Sequence, residues 1–409
     1  MTDPGGLVAE AHRILDFARA ARHPAGGFGA LTSAGSLSVG APRETYLTAR
    51  MVHVFALGQR LGRADAAALV EHGLAALAGP LRDRRHGGWF AAIDGAPDGS
   101  RKDAYTHAFV VLAATSAVAA GHDARPLLDD ALGVILERFW DDDAGAAVDR
   151  RSRDWAEVEP YRGANANMHL VEALLAAADA TGDGAWRGRA GRIADRLIGR
   201  VARDRGWRLP EHFDADWAVR ADYHRDRPAD PFRPYGVTIG HLLEWSRLVL
   251  HLRAAAAPDD PRADERLGWA RALFDTAVRD GWAVDGADGF VYTVDFDGRP
   301  VVRNRLHWVL AEAIAAAAAL WRATGEEQYA RWHARWWGHA EAAFIDRVDG
   351  SWRHELDPAN RPTAQGTWPG KPDAYHAVQA ALLPLLPLAP SIAFAVGRID
   401  GHPAFASTV

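Results

Sequence analysis

The sequence predicts an all-α chain: six helix hairpins closed into a ring, an (α/α)6 barrel with short β-hairpins in its connecting loops. Three observations lead there. Ala-rich segments with helical hydrophobic periodicity recur along the chain, and almost no long strand pattern competes with them. A Gly-rich or aromatic turn followed by a short extended piece recurs after every second helix, which is the mark of a repeat architecture. The terminal helices are no more polar than the rest, whereas an open array of repeats needs polar caps at both ends.

The elements follow in order. A helix over 6–22 leads into the turn Gly26-Gly27-Phe28. Helices over 42–62 and 65–78 lead into Gly87-Gly88-Trp89-Phe90, and those over 104–121 and 124–139 into Asp143-Ala144-Gly145. The pair 165–181 and 184–201 ends at Arg205-Gly206-Trp207, and the pair 236–256 and 262–280 at Asp288-Gly289-Phe290. Helices over 305–324 and 327–343 precede Asp349-Gly350-Ser351-Trp352, and a last helix spans 374–387. Most turns are about 60 residues apart; the interval after Gly206 is lengthened by a polar, Pro-bearing insertion from Asp214 to Pro234. Segments such as 305–320 are nearly all apolar, as an inner helix buried on every side requires, whereas 184–200 is amphipathic and carries Arg and Asp, as an outer helix should. Nothing marks an interdomain linker, so residues 1–409 are expected to form a single catalytic domain.

The chain has 409 residues, a formal net charge of −6 and no Cys. Thiolate catalysis, thiolate metal sites and disulfides are therefore excluded, and the charge gives no case for nucleic acid. The N-terminus lacks the basic start and apolar run of a secretory signal, and the apolar stretch Val309 to Leu320 contains Glu312 and is too short to span a bilayer. A cytoplasmic protein without a membrane partner is expected, as monomer or homo-oligomer. The 16 Trp should mostly build the core, with some left as platforms for the C–H faces of sugars; the 18 His point to proton transfer near neutral pH.

Five constellations lie at the starts of inner helices, where a ring would bring them to one cavity. In Tyr46-Leu-Thr-Ala-Arg50 a guanidinium sits inside an apolar helix. It needs an acceptor, either a structural ion pair or a substrate oxygen. In Asp103-Ala-Tyr105-Thr-His107 the two aromatic groups cannot share a face, and Tyr105 is the expected lining residue. In Asn165-Ala-Asn167-Met-His169, Asn165 and His169 share a face, and Asn167 points elsewhere as a cap. In Gly240-His241-Leu-Leu-Glu244-Trp245 the spacing sets His241 beside Glu244, a carboxylate able to fix the imidazole tautomer. In Trp368-Pro-Gly-Lys371-Pro-Asp373-Ala-Tyr375-His376, His376 opens the last inner helix behind a loop that would cover the cavity mouth. Arg305-Leu-His307-Trp308, with Glu312, and Trp352-Arg-His354-Glu355-Leu-Asp357 read as further site walls. There is no Walker loop, no HExxH and no Gly-x-Ser-x-Gly elbow, and no His/Asp/Glu cluster has evident metal-ligand spacing, so neither cofactor nor metal is expected.

On these residues the chain resembles the N-acylglucosamine 2-epimerase superfamily, which includes cellobiose 2-epimerase, mannose isomerase and sulfoquinovose isomerase. The resemblance runs from Ala41 to Leu386 and is carried by Arg50, Asn165 to His169, Gly240 to Trp245, Arg305 to Trp308 with Glu312, and Lys371 to His376. The stretch Arg233-Pro-Tyr-Gly-Val-Thr-Ile-Gly-His241 and the stretch Trp352 to Asp357 are most similar to the mannose and sulfoquinovose isomerase branch. The resemblance implies an (α/α)6 barrel and metal-free interconversion of an aldose and its 2-ketose, with mannose and fructose the first choice. It implies His376 as the carbon-proton shuttle and His241, oriented by Glu244, as the ring-opening group. Arg50, Asn165 and His169 would hold hydroxyls and stabilise an enediolate; Trp308 and Trp368 would wall the sugar. Tyr105, His307, Glu312, Glu355 and Asp373 would complete the substrate contacts, and Arg233 would serve a sulfonate if sulfoquinovose were the substrate. A 2-epimerase would use the same histidines. A glycoside hydrolase of the same fold would need Asp373 and Glu244 as its carboxylate pair.

Overall fold

The computed structural model describes residues 2–96, 98–256, 260–363 and 366–397. The helices alternate between an outer and an inner layer. The pairs are α1 (Pro4–Ala18) with α2 (Thr45–Arg60), α3 (Ala66–Ala78) with α4 (Ala104–Ala119), and α5 (Arg125–Val134) with α6 (Ala164–Thr181). They continue with α7 (Gly184–Arg196) and α8 (Ile239–Ala255), α9 (Ala263–Gly281) and α10 (His307–Thr324), then α11 (Glu327–His339) and α12 (Tyr375–Leu382). Each even-numbered helix packs on the next, and α12 packs on α2, so the inner layer closes on itself.

The two layers differ in composition for a physical reason. An inner helix touches neighbours on all sides, so α4 is buried continuously from Thr106 to Ala117 and α10 from Val309 to Leu320, with small Ala side chains allowing close approach. An outer helix buries one stripe. In α11 the stripe is Tyr329, Ala330, His333, Trp336 and Trp337, at helical spacing. Trp89, Trp245, Trp336 and Trp352 are among the largest fully buried side chains, so much of the Trp content is core.

Short antiparallel strands gird one face of the ring. Arg43-Glu44 pairs with Ala92-Ile93, Lys102-Asp103 with Arg150-Arg151, and Arg162-Gly163 with His212-Phe213. Val237-Thr238 pairs with Thr293-Val294, and Arg305-Leu306 with Glu355-Leu356. Each such pair ties the residues just before an inner helix to the next repeat. At the seam a single hydrogen bond does this: Lys371 N–H donates to the Leu31 carbonyl at 2.9 Å. Buried cations brace the same belt. Lys102 Nζ donates to Asp83 Oδ2 at 3.1 Å and to Gly87 O at 2.9 Å, and Lys371 repeats the arrangement with Asp346 Oδ2 at 2.9 Å and Gly350 O at 2.7 Å. The inner-helix N-termini are thereby held around one mouth.

Two differences from the sequence reading are local. The last inner helix stops at Leu382 and tightens into a 3-10 turn over Leu383–Leu385, because Pro384 has no N–H to continue it. A short helix that the periodicity did not suggest, α13 (Ile392–Val396), lies against α2, α4 and α6. It is approached through Ala389, whose carbonyl accepts from His251 Nδ1 at 2.5 Å. Among the described residues no helix is long and apolar enough to cross a membrane.

Candidate active site

A cavity lies at the N-terminal ends of the inner helices. The belt of short strands sets those ends side by side, so residues in the first turns of α4, α6, α8, α10 and α12 face one another. Of the residues singled out in the sequence, Arg50, Tyr105, Asn165 and His169 line the cavity. So do His241, Glu244, His307, Trp308, Trp368, Asp373 and His376.

Two imidazoles, each held by a carboxylate, dominate it. His376 Nδ1 lies 2.9 Å from Glu312 Oε1, and His241 Nδ1 lies 2.8 Å from Glu211 Oε1. Each pairing leaves Nε2 as the nitrogen available to the cavity. Between them stands the indole of Trp308, its ring 5.3 Å from that of His241 and 5.6 Å from that of His376. Gly240 makes room for it: a Cβ there would come within 2.2 Å of the Trp308 ring. Burial holds His376 well below the usual imidazole range, and the nearby Arg50 charge adds to this, so the ring is a neutral base at pH 7.

The opposite wall is cationic and aromatic. Arg50 Nη1 donates to Asp373 Oδ2 at 2.9 Å and Nη2 to the Tyr105 hydroxyl at 2.8 Å, with the guanidinium over Phe109 and Tyr375. Burial alone would raise the Asp373 carboxyl; Arg50 and His376 outweigh that and keep it ionised. Because the Tyr105 oxygen accepts from Arg50, its proton is free to donate. His307 and His354 stack at 3.8 Å. His307 Nε2, His354 Nε2 and Asn165 Oδ1 have no hydrogen-bond partner among the described residues. Buried polar atoms facing the cavity in this way can be satisfied by the hydroxyls of a ligand. Phe232, from the polar insertion, meets Trp368 edge-on at 5.0 Å and roofs the mouth.

At the cavity floor and below it three buried glutamates, Glu244 lining the cavity and Glu172 and Glu312 behind it, surround Arg247. The guanidinium is 3.0 Å from Glu312, 3.5 Å from Glu244 and 3.9 Å from Glu172. Burial and neighbouring Glu312 push the Glu244 carboxyl well above its ordinary range. His169 Nδ1 lies 3.7 Å from Glu244 and 3.9 Å from Glu172. Ligand atoms of His169, Glu172 and Glu244, and of Glu244, Glu312 and His376, come within 4.8 Å of one another, close enough to hold a metal ion, but the cation placed among these carboxylates is Arg247.

The sequence profile of the N-acylglucosamine 2-epimerase family matches residues 26–380. The chain belongs to that family. It is 55% identical over 396 residues to the D-mannose isomerase of Thermobifida fusca, covering 96% of this chain and 97% of that one. It is 52% identical over 398 residues to the D-mannose isomerase of Pseudomonas cannabina pv. alisalensis, covering 96% and 95%. A crystal structure of D-mannose isomerase superposes with a TM-score of 0.86 at 29% identity, covering 93% of this chain and 97% of that one. The cellobiose 2-epimerase of Spirochaeta thermophila superposes with a TM-score of 0.81 at 22% identity, covering 93% and 95%, which shows the shared (α/α)6 fold. As a member of this family the chain is an enzyme of the sugar isomerase class.

Within this family member several sequence expectations change. Glu244 does not orient His241. The shared helical face sets Glu244 one turn deeper, toward His169 and Arg247, and the carboxylate at His241 is Glu211, just before the His212-Phe213 strand. Glu312 stands behind His376, bonded to it and to Arg247, so it does not line the cavity. Glu355 also lies outside the lining. It accepts from Asn304 and from the backbone N–H of Thr367 and Trp368, which anchors the loop that carries Trp368. Arg233 does not line this cavity but an adjoining one, and it is engaged in ion pairs: it donates to Glu159 at 2.7 and 2.8 Å and to Asp149 at 3.2 Å. Asn167 points away from the cavity as expected but does not cap the helix: it accepts from Ala147 N–H and donates to the carbonyls of Ala147 and Gly163, tying the helix to the short strand, and His107 is a core group accepting from Trp89 N–H. Tyr46, Phe232, Tyr292, Glu211 and Arg247 were not singled out. Only the Glu211-His212 dipeptide before an extended piece offered a sequence signal, and its partner is 30 residues away.

Proposed function

We propose that the chain interconverts D-mannose and D-fructose by histidine acid–base catalysis, without a metal. The observation that carries this reading is the pair of carboxylate-held imidazoles, His376–Glu312 and His241–Glu211, on either side of Trp308. The relatives named D-mannose isomerase supply the sugar.

The chemistry can be assigned atom by atom. His241 takes the O1 proton of the pyranose and delivers it to O5 as the ring opens, which leaves His241 neutral again. His376 Nε2 then removes the C2 proton, and the electron pair moves to form the enediolate. Arg50 and Tyr105 stabilise the charge on oxygen, and Asn165 and His169 hold hydroxyls. The imidazolium of His376 returns its proton to C1 while a proton passes from O2 to O1 through His241. The product is the 2-ketose, with no net change in protons or electrons. A neutral imidazole suits the abstraction at neutral pH.

Among the described lining residues Arg50 is the one cation, and Asp373 already pairs with it. This favours a neutral sugar over sulfoquinovose, as do the ion pairs of Arg233.

The test is a product screen of mannose, glucose, lyxose and sulfoquinovose in heavy water with a chelator present. Mannose should give fructose, with any solvent label at C1, to the extent that the His376 imidazolium exchanges its proton before returning it. Label at C2 of an epimeric aldose would identify a 2-epimerase. Activity that vanishes with chelator and returns with a divalent ion would overturn the metal-free step.

A further inference from the structure

Arg247 lines no part of the substrate cavity, yet it is 1% exposed and lies among three carboxylates. Nε donates to Glu312 Oε2 at 3.0 Å, Nη2 lies 3.5 Å from Glu244 and Nη1 3.9 Å from Glu172. The far oxygen of Glu312 lies 2.9 Å from His376 Nδ1. Glu172 accepts from the Tyr375 hydroxyl and, at 3.4 Å, from Gln379. Every helix of the inner ring contributes a charged or titratable group to this region. These are Arg50 and His53 from α2, Tyr105 from α4, His169 and Glu172 from α6, and Glu244 and Arg247 from α8. Glu312 and His307 come from α10, Tyr375 and His376 from α12, with Asp373 just before it and His354 from the facing strand turn.

Three carboxylates cannot all ionise in so small a buried volume without a cation. Burial lifts the Glu312 carboxyl, and Arg247 is the group that opposes it. The ionisation state of Glu312 decides the tautomer of His376. A carboxylate accepts the Nδ1 proton and leaves a lone pair on Nε2. A neutral acid can donate to Nδ1 instead, which puts the proton on Nε2 and leaves no base facing C2.

We infer that Arg247 is a positioning residue: by keeping Glu312 a carboxylate it fixes His376 in the tautomer that can accept the substrate's carbon-bound proton. This rests on the role given to His376 above.

Arg247→Met and Arg247→Lys are compared with the wild-type enzyme, all labelled with 15N-histidine and with the His376 signal assigned through His376→Gln. In Arg247→Met, kcat for mannose should fall about 10²-fold with KM within about threefold, as expected when an acid–base group loses its set-up and binding does not. The acidic limb of the kcat profile should move to higher pH, because Glu312 takes up a proton more readily. The His376 spectrum should show the proton shifted toward Nε2. Arg247→Lys, which restores the charge without the fork, should recover part of each. If Arg247→Met does not fold, Arg247→Lys carries the test through the same acidic limb and spectrum. A folded variant with the wild-type tautomer and limb overturns the inference, as does a raised KM with kcat preserved. The two readings fail separately. Absence of mannose turnover in the wild type sinks the proposed function, whereas an unaltered His376 spectrum in the variants sinks the role of Arg247.

Discussion

His376 and His241 are alike in chemistry and differ in what holds them. The Glu312 behind His376 is itself bonded to Arg247, whereas the Glu211 behind His241 comes from a loop of the preceding repeat. Under the proposed mechanism, replacing either imidazole by Ala removes a proton-transfer group, and His376→Ala should lose at least about 10²-fold in kcat for mannose. The orienters should separate more sharply. Glu211→Gln keeps an acceptor but removes the charge that stabilises the imidazolium, so kcat should fall by about tenfold or more. Glu244→Gln should cost less, because burial and the neighbouring Glu312 already disfavour the charged form of that carboxyl and an amide matches the neutral acid in shape. Steady-state kinetics on the two variants decide it; a larger loss at Glu244 would return it to the orienting role that its spacing suggested.

At the scale of elements, α8 carries the most. Gly240, His241, Glu244 and Arg247 follow one another down its inward side, touching in turn Trp308, the cavity, His169 and Glu312. Gly240→Ala should therefore force Trp308 out of its place between the imidazoles. Overpacking of this kind costs about 1–3 kcal/mol. The expected outcome is a lower Tm, altered Trp fluorescence and reduced kcat; an unchanged indole environment would show that the ring relaxes elsewhere at no cost. The insertion from Asp214 to Pro234 acts at the same scale. It places Phe232 against Tyr46 and Tyr105 at 6.0 Å and locks Arg233 in an ion-pair cluster instead of presenting it to substrate.

The whole molecule has a pH signature. His53, His107, His169, His212, His251, His307 and His333 are each lowered by burial to about 4 from 6.5. Their sign is fixed by linkage. Above pH 6.5 neither state protonates them and stability is fully present. Between 6.5 and 4 the unfolded chain binds protons that the folded one refuses, and each group then costs about 1.4 kcal/mol per pH unit. Glu244 and Glu312, raised in the folded state, have the opposite sign but are fewer. From the histidines, Tm should thus be level between about pH 6.5 and 8 and fall steeply from pH 6.5 toward 4; a flat Tm from 6.5 to 4 would mean the histidines are not buried as described.

The amino-acid sequence by itself determined the ring and the cavity. Hydrophobic periodicity separates inner from outer helices, and a repeat of turns places every inner-helix start on one face, so Arg50, His169, His241 and His376 had to meet. Helical spacing says which side chains share a face, however, and nothing about what packs across from them. The decisive partners are distant in sequence: Glu211 lies 30 residues from His241, Glu312 64 from His376, and Asp149 84 from Arg233. Only closure of the ring sets these groups within hydrogen-bond reach. It alone decided that Glu244 turns toward His169 and Arg247, that Arg233 is held by Glu159 and Asp149, and that one guanidinium, Arg247, stands behind Glu312 and His376.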